Sequence, residues 1–455
     1  MARPTRVRYV ILLLLFVVTT LNYADRATLS IVGSALQKDL NLTPVQMGLI
    51  FSAFAWAYVA GQIPGGWLLD RFGSKRVYAW SIFLWSFFTL LQSFVGWMSV
   101  TWAVATLFTL RLLVGVAESP SFPGNSRIAA AWFPTSERGT AAGIFTSAQY
   151  FATVLFAPLM GWLTYHYGWH SVFVIMGLLG IAMTGVWWKV MHEPDEHPRA
   201  NIEELTLIRA GGGLVESSHG AQSESRNPVR WGDIRQVLGQ RLMIGVLLGQ
   251  YCINTLSYFF LTWFPVYLVQ ERGMSILKAG FIASIPALCG FAGGILGGIL
   301  SDSLVRRGYS LTFARKAPMV IGMLMSTSMV ACVTASADWL IIMLMAFAYF
   351  GKGFGAVGWA VVSDTAPKRI AGLCGGVFNA AGNIAGITTP IVIGLILQQT
   401  GSFNGALIFV AANALVAMFC YLVVMGPIKR LELPESTTTD SGAIKGLEVK
   451  RPVSN

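Results

Sequence analysis

The chain has 455 residues, of which 55% are hydrophobic and 12% are charged, and its formal net charge is +11. Soluble domains carry about 25% charged residues, so this composition excludes a large soluble protein and indicates a membrane protein. The basic residues do not indicate nucleic-acid binding, because they are concentrated in alternate loops between apolar segments. The basic loops carry Arg3, Arg6, Arg8, Arg71, Lys75, Arg76, Arg306, Arg307, Arg315, Lys316, Lys368, Arg369, Lys429 and Arg430. This alternation follows the positive-inside rule and predicts that both termini are cytoplasmic.

Twelve apolar windows are long enough to form helices across a membrane, each of which needs about 20 residues. They lie at 8–32, 44–67, 76–96, 101–124, 139–162, 171–191, 240–265, 277–300, 317–335, 338–362, 372–397 and 404–426. The windows form two sets of six, which predicts one helix bundle over 1–191 and a second over 240–432. We expect the polar segment 192–239 to be a cytoplasmic loop and the tail 433–455 to be disordered in the cytoplasm.

The first window contains two adjacent charges, Asp25 and Arg26. A charged side chain in a spanning helix costs roughly 2.5–3.5 kcal/mol on insertion scales. Arg111 and Glu118 lie seven residues apart in the fourth window, on one face of the helix, and Gly115 between them leaves room for a partner. These two acids and two bases could form a purely structural cluster, but buried ion pairs often add no net stability. Ionisable residues inside membranes commonly belong to proton relays, so we favour a functional role.

The loop after the second window, GWLLDRFGSKR at 66–76, resembles the loop signature of the major facilitator superfamily. We expect Gly66 to permit close helix approach. We expect Asp70 to bond basic residues and the dipole of a neighbouring helix, which would hold the cytoplasmic side shut in one state. Arg71 belongs to the same predicted gate. The alternative is a solvated charged loop, but a second copy of the pattern around Asp302 favours the gate.

The second copy belongs to an internal repeat that relates the two sets of windows. Asp70 and Asp302 are 232 residues apart, and GIFTSAQYFA from residue 143 matches GVFNAAGNIA from residue 376 at an offset of 233. A duplicated unit with its axis normal to the membrane is the organisation of the major facilitator fold, whose site lies between the halves at the midplane. We therefore predict an all-α membrane protein with the major facilitator fold, in which twelve transmembrane helices form two six-helix pseudo-symmetric halves.

The predicted loop 192–239 is polar but not uniform. Its stretch NIEELTLIRAGGG predicts a short surface helix, with Asn201 as the N-cap and Glu204 at the capping-box position. The stretch ESSHGAQSESRNP that follows has the composition of a linker.

Further polar or aromatic residues lie on otherwise apolar helices. They are Tyr23, Tyr58, Gln149, Asn254, Lys352, Trp359, Asn379 and Asn383. Each alone is more often a hydrogen-bonding contact between helices, but together they predict a hydrated cavity that suits a polyol. Lys352 lies near the middle of the tenth window and should face the first set of helices if Trp359 lines this cavity, although its flanking glycines could simply let it snorkel. The five cysteines fall in apolar runs without a CxxC pair, which predicts packing roles and no metal site.

The stretches NYADRATLS, ESPSFPGNSRIAAAWFP, YFFLTWFPVYL and GGVFNAAGNIAGITTP resemble the anion:cation symporter family of the major facilitator superfamily, over about residues 8–432. Within that family the chain is most similar to bacterial glucarate/galactarate transporters. The resemblance implies a proton-coupled symporter of the bacterial inner membrane that imports a sugar-acid anion by alternating access. We expect it to be a monomer among membrane lipids, with no cofactor, no metal and no nucleic-acid partner.

The resemblance also assigns roles to the charged residues. Asp25 and Glu118 would be the protonated carboxylates, Arg111 would link them to the site, and Arg26 would bind the substrate carboxylate. The implied contacts to the sugar acid are Tyr23, Tyr58, Gln149, Trp359 and Asn379. For a sugar diacid, we further predict that Arg26 binds one carboxylate and that Lys352 binds the other from the opposite half.

The chemistry of these residue types is consistent with that mechanism. An ionised carboxylate beside an arginine competes with substrate for the guanidinium, whereas a protonated one releases it, so binding and protonation favour each other. Two transport alternatives stay open: a carrier of a related acid such as galactonate or a hexuronate, and an antiporter that exchanges organic anions. A membrane-embedded enzyme or a sensor is disfavoured, because the sequence has no metal-ligand cluster, nucleophile elbow, phosphate loop or soluble signalling domain.

Overall fold

The structure, a computed structural model, describes residues 4–134, 137–213, 235, 237–367 and 371–431. Within these residues it has twelve helices that are long and apolar enough to cross a membrane, and no β-strand. We label them α1 to α12; in chain order they are Val7–Asp39, Pro44–Phe72, Ser74–Trp97, Val100–Trp132, Arg138–Tyr167, Trp169–Val190, Arg241–Gln270, Ile276–Arg306, Leu311–Val333, Asp338–Thr365, Ala371–Thr400 and Asn404–Val424. The predicted all-α class with twelve spanning helices is confirmed. Outside the described residues lie the linker part of the predicted loop, the predicted tail, and Arg3, Lys368 and Arg369.

Local sequence explains where several helices begin, end and break. α2 begins with a capping box, in which Thr43 Oγ1 accepts from the Gln46 N–H (3.2 Å) and Gln46 Oε1 accepts from the Thr43 N–H (2.8 Å). Gly73, with a φ of +81°, lets α2 turn directly into α3, because glycine has no Cβ to oppose that conformation. α4 is interrupted directly after Glu118, where Pro120 has no N–H to continue the helical hydrogen bonds.

α1–α6 and α7–α12 are two bundles that meet through α2 with α11 and through α5 with α8. Glycines let these helices approach closely. A Cβ on Gly48 would lie 2.5 Å from the Pro390 carbonyl oxygen, and one on Gly280 would lie 2.6 Å from the Ala157 carbonyl oxygen. Both contacts lie at the end of the molecule where α1 turns into α2, which we call the α1–α2 end. The opposite end, where α2 turns into α3, is the α2–α3 end.

Hydrogen bonds also join the halves at the α1–α2 end. Among the described residues, Ser30 Oγ donates to the Thr262 carbonyl oxygen (2.9 Å), and Gln270 Nε2 donates to Gln37 Oε1 (2.9 Å). The ion pairs at the α2–α3 end each lie within one half. The protein is therefore closed at the α1–α2 end in this conformation.

The helix predicted within the loop is present as Ile202–Ala210, and Asn201 Oδ1 accepts from the Glu204 N–H (2.9 Å). Glu204 does not complete a capping box with Asn201, however. Its carboxylate is fully buried and accepts from the N–H groups of Val7 and Arg8, at 3.1 Å each. The prediction of a surface helix with a capping box is wrong in this respect, because Glu204 instead satisfies N–H groups that begin α1 and have no helical partner.

Candidate functional site

A cavity of about 230 Å³ lies between the two halves. Seven of the eight residues predicted to bind substrate line it: Tyr23, Arg26, Gln149, Asn254, Lys352, Trp359 and Asn379. They come from α1 and α5 in the first half and from α7, α10 and α11 in the second, so both halves contribute. Within the part of the chain that the structure describes, no group of three His, Cys, Asp or Glu residues could hold a metal ion.

Arg26, at the cavity wall, forms an ion pair with Glu118 from α4. The Arg26 Nε lies 2.8 Å from Glu118 Oε2, and the two side chains are 7% and 0% exposed. The guanidinium also lies over three aromatic rings, at 4.8 Å from the centroid of Tyr23 and 4.6 Å from those of Phe54 and Tyr58. A desolvated cation over a ring face gains up to about 2 kcal/mol. The rings and the carboxylate therefore fix the position of the Arg26 guanidinium.

Asp25 faces away from that pair, as expected for neighbouring positions in a helix. Its Oδ2 accepts a hydrogen bond from Thr89 Oγ1 on α3 (2.7 Å). Arg111 is buried within electrostatic range of Asp25 and Glu118, and its Nε and Nη1 have no hydrogen-bond partner among the described residues. The four predicted charges thus converge, but of these four residues only Arg26 and Glu118 are in direct contact.

Two predicted members of this region take other places than expected. Gly115 leaves room for the backbone of α2 rather than for a charged partner, because a Cβ on it would lie 2.4 Å from the Phe54 carbonyl oxygen. Tyr58 does not line the cavity; its ring is 2% exposed and stacks on Phe54 with a centroid distance of 5.3 Å. In this conformation the Tyr58 ring packs against the Arg26 guanidinium, whose carbon lies 4.6 Å from the ring centroid.

The sequence analysis missed three tyrosines that line the cavity, Tyr150, Tyr258 and Tyr349. Tyr258 lies one helical turn after Asn254, and Tyr349 lies three residues before Lys352. Residues three and four apart share a face of a helix. That spacing from residues already singled out is the signal that identifies these two tyrosines.

Lys352 lies in the second half and faces the first, as predicted. Its Nζ is 5.2 Å from the ring centroid of Tyr349, on its own helix, and 5.8 Å from that of Tyr150 on α5. Among the described residues, no acidic side chain forms an ion pair with it. Two cationic side chains, Arg26 and Lys352, therefore line the cavity, and no described Asp or Glu does.

Both copies of the predicted gate carry ion pairs at the α2–α3 end. Asp70 pairs with Arg127 on α4, and Asp302 pairs with Arg315 on α9, with 3.0 Å between Arg315 Nη1 and Asp302 Oδ1. Each pair lies within one half, so in this conformation the pairs join helix ends and do not hold the halves together. Arg71 makes no ion pair with a described residue, and its guanidinium lies over two aromatic rings of α2.

Glu193, a residue outside the spans, lies near the Asp70–Arg127 pair. Glu193 follows α6 and is within electrostatic range of Arg127. Burial raises the pKa of the Glu193 carboxyl above its usual range, and the positive charge of Arg127 opposes that rise. Arg127 therefore faces acidic groups from α2 and from the segment after α6.

The glycines of the repeat pack differently from the prediction. A Cβ on Gly66 would have no atom within 4 Å, whereas one on Gly65 would lie 3.1 Å from the Pro120 nitrogen. The prediction for Gly66 is therefore wrong in this conformation, and Gly65 makes the close approach because successive helix positions point about 100° apart. The second copy shows the same alternation, since Gly297 packs against α10 and Gly298 has no atom within 4 Å of its Cβ position.

Comparison with known families matches residues 15–314 to the Major Facilitator Superfamily and residues 213–430 to the family Sugar (and other) transporter. The chain is 63% identical to the probable galactarate/D-glucarate transporter GudP of Escherichia coli (strain K12), over 95% of this chain and 96% of that protein. It is 61% identical to the protein of the same name from Bacillus subtilis (strain 168), over 95% and 94% of the two chains. It is also 42% identical to the D-galactonate transporter of Escherichia coli O6:H1, over 94% and 98%.

Two solved structures are similar in fold. A bacterial homologue of the human lysosomal transporter Spinster, inward-facing and unoccupied, has a TM-score of 0.70 at 18% identity, over 92% of this chain and 95% of that one. A D-xylose–proton symporter has a TM-score of 0.68 at 15% identity, over 92% and 98%. At these identities the likeness concerns the fold alone, and it confirms the fold class predicted from the repeat.

Proposed function

This chain belongs to the Major Facilitator Superfamily, and from that premise we propose that it is a proton-coupled symporter that imports galactarate or D-glucarate by alternating access. It is a multi-pass membrane transporter and not an enzyme, since its relatives of high identity are named transporters. Their names support a sugar-acid substrate. The observation that carries the proposal is the ion pair of Arg26 and Glu118 at the wall of a cavity that both halves line.

The proposed coupling follows from competition for Arg26. A sugar-acid carboxylate needs a cation in the cavity, and the charge of Arg26 is satisfied by Glu118 when the site holds no substrate. Protonation of Glu118 ends that ion pair and leaves the guanidinium, still held by aromatic rings, to bind the substrate carboxylate with two hydrogen bonds. Substrate binding in turn favours protonated Glu118, so the proton and the anion bind together.

We assign Asp25 as the second proton carrier. One of its carboxylate oxygens accepts from Thr89, and the other has no hydrogen-bond partner among the described residues. Arg111 is within electrostatic range of both carboxylates, so a change of charge on one alters the free energy of ionising the other. This arrangement supports a relay in which Asp25, Arg111 and Glu118 titrate as a unit.

The closed α1–α2 end supports a cycle in which this conformation opens at the α2–α3 end. We place the chain in the bacterial inner membrane as a monomer with both termini cytoplasmic, since its basic loops lie at the α2–α3 end. The cavity then releases its substrate to the cytoplasm.

A fluorescent reporter that matures only in the cytoplasm should be bright when fused to the C-terminus, and a dark fusion of a correctly inserted protein contradicts this orientation.

The function is tested by uptake of radiolabelled galactarate and D-glucarate into proteoliposomes that contain the purified protein. An inward proton gradient should drive accumulation above the outside concentration, and a protonophore should abolish accumulation while leaving exchange of labelled for unlabelled substrate. D-Galactonate and a hexuronate, assayed in parallel, define the substrate class. Accumulation that ignores the proton gradient but requires a second organic anion inside would contradict symport and favour the antiporter.

A further inference from the structure

We propose that Lys352 binds the second carboxylate of a sugar diacid whose first carboxylate is bound by Arg26, and that it thereby selects diacids over monoacids. The inference rests on the proposed function, because it concerns the same cavity and substrate class. Overall similarity does not assign this role, since the relatives include both galactarate/D-glucarate transporters and a D-galactonate transporter.

The charges around the cavity match an anion with a carboxylate at each end. Arg26 comes from α1 in the first half, and Lys352 comes from α10 in the second. Glu118 neutralises Arg26 but does not line the cavity, and no described acidic residue pairs with Lys352. Once Glu118 is protonated, the cavity presents positive charge from both halves, which is electrostatically complementary to a dianion.

Lys352 is held near the middle of α10 by close packing of its own helix. A Cβ on Gly351 would lie 2.4 Å from a carbonyl oxygen of α9, and one on Gly353 would lie 2.4 Å from a carbonyl oxygen of α8. These contacts fix the backbone on both sides of Lys352. The side chain lines the cavity between the halves instead of extending along the helix toward a membrane surface, which argues against snorkelling.

The Lys352 ammonium lies over two tyrosine rings, Tyr349 from its own half and Tyr150 from the other. Both tyrosines also line the cavity. Ring faces stabilise an ammonium group but do not satisfy its three N–H donors with strong acceptors. Lys352 is half-buried and has no acidic partner among the described residues, so a carboxylate in the cavity would give its ammonium group a charged acceptor.

Galactarate and galactonate form a matched pair of substrates for isolating this contact. They share the six-carbon chain and the configuration of its hydroxyl groups, and they differ only where galactarate has its second carboxylate and galactonate has a hydroxymethyl group. Opposite the hydroxymethyl group, Lys352 forms at most a hydrogen bond to a neutral oxygen and loses the Coulomb attraction to a second full negative charge.

The experiment measures counterflow exchange of both substrates in proteoliposomes without a proton gradient, at concentrations below saturation. Lys352→Gln should lower galactarate exchange about tenfold or more and change galactonate exchange less than about threefold. Lys352→Arg keeps the charge and should retain most galactarate exchange. Lys278→Gln is the matched control, since it removes a lysine that is 56% exposed at the α1–α2 end, and it should leave both rates unchanged.

Equal loss of both substrates in Lys352→Gln, or no loss of either, overturns the inference. If the wild type exchanges galactarate alone, the two variants decide: loss in Lys352→Gln with retention in Lys352→Arg supports the inference, and loss in both overturns it. A wild-type protein that exchanges neither galactarate nor D-glucarate overturns the proposed function itself, and one that exchanges galactonate but not galactarate overturns the inference. Gel filtration and thermal unfolding of each variant separate loss of the contact from loss of the fold.

Discussion

Arg26 and Asp25 are adjacent in α1, yet their surroundings indicate different tasks. Arg26 lies at the cavity wall in contact with Glu118, whereas Asp25 is hydrogen-bonded to Thr89 on α3. In the proposed cycle Glu118 competes directly with substrate for Arg26, so its charge should set both affinity and coupling. Asp25 does not contact the Arg26 guanidinium, so its charge should affect proton coupling more than substrate affinity.

We predict that Glu118→Gln abolishes accumulation driven by a proton gradient but keeps counterflow exchange, with an apparent affinity equal to or up to about tenfold above that of the wild type. The amide has the shape of the protonated acid and cannot cycle, and it no longer holds Arg26 with a full charge. Asp25→Asn should likewise abolish accumulation. Asp195→Asn, which alters a partly exposed acid outside the spans, is the control and should accumulate substrate normally. Normal accumulation in Glu118→Gln or Asp25→Asn would remove that residue from the relay.

The charged residues of this site could be predicted from the sequence because charges are rare in apolar windows and costly to keep there. Which of these charges pair with each other could not be predicted from the sequence. Helical spacing places Arg111 and Glu118 on one face, but the base that Glu118 contacts comes from another helix. Tyr258 and Tyr349 were missed because a tyrosine in an apolar helix is commonplace, although each shares a helix face with a residue already predicted to bind substrate.

Among the helices, the interruptions matter as much as the spans. α4 is interrupted directly after Glu118, and α10 is interrupted two residues after Lys352. By the repeat offset of 233 residues, Lys352 corresponds to Ser119, the neighbour of Glu118. The two halves therefore carry an acid and a base at nearly equivalent positions. Each lies beside a break where backbone N–H groups donate to carbonyl oxygens three residues earlier instead of four.

Hydropathy windows predicted all twelve helices but neither interruption. Prolines inside uninterrupted stretches of α-helix are Pro64, Pro158, Pro286, Pro318 and Pro390. Pro120, by contrast, lies at an interruption, and the break in α10 contains no proline. Whether the chain stays helical depends on whether neighbouring helices and side chains satisfy the freed backbone groups, which the sequence of one segment does not reveal.

The whole molecule has to move a charged substrate through a membrane potential. Two negative charges that enter against an inside-negative potential cost about 4.6 kcal/mol per 100 mV, at ~2.3 kcal/mol per charge. Two protons, one on Asp25 and one on Glu118, cancel that cost for a diacid. The proposed relay and the proposed diacid specificity are therefore consistent with electroneutral transport.

Alternating access requires the contacts at the α1–α2 end to separate, and glycine packing there offers a way to bias the equilibrium. In Gly48→Ala the added methyl would lie 2.5 Å from the Pro390 carbonyl oxygen. Overpacking by one methyl group costs about 1–3 kcal/mol, enough to shift a population ratio about fivefold or more toward conformations open at this end. Spin labels at Gln37 and Gln270, which are hydrogen-bonded across the halves at 2.9 Å, report the separation by double electron–electron resonance. We expect a short-distance population in the wild type and in Gly185→Ala, whose methyl would meet no atom within 4 Å, and a longer distance in Gly48→Ala. An unchanged distance distribution in folded Gly48→Ala protein would contradict a cycle in which α2 and α11 separate.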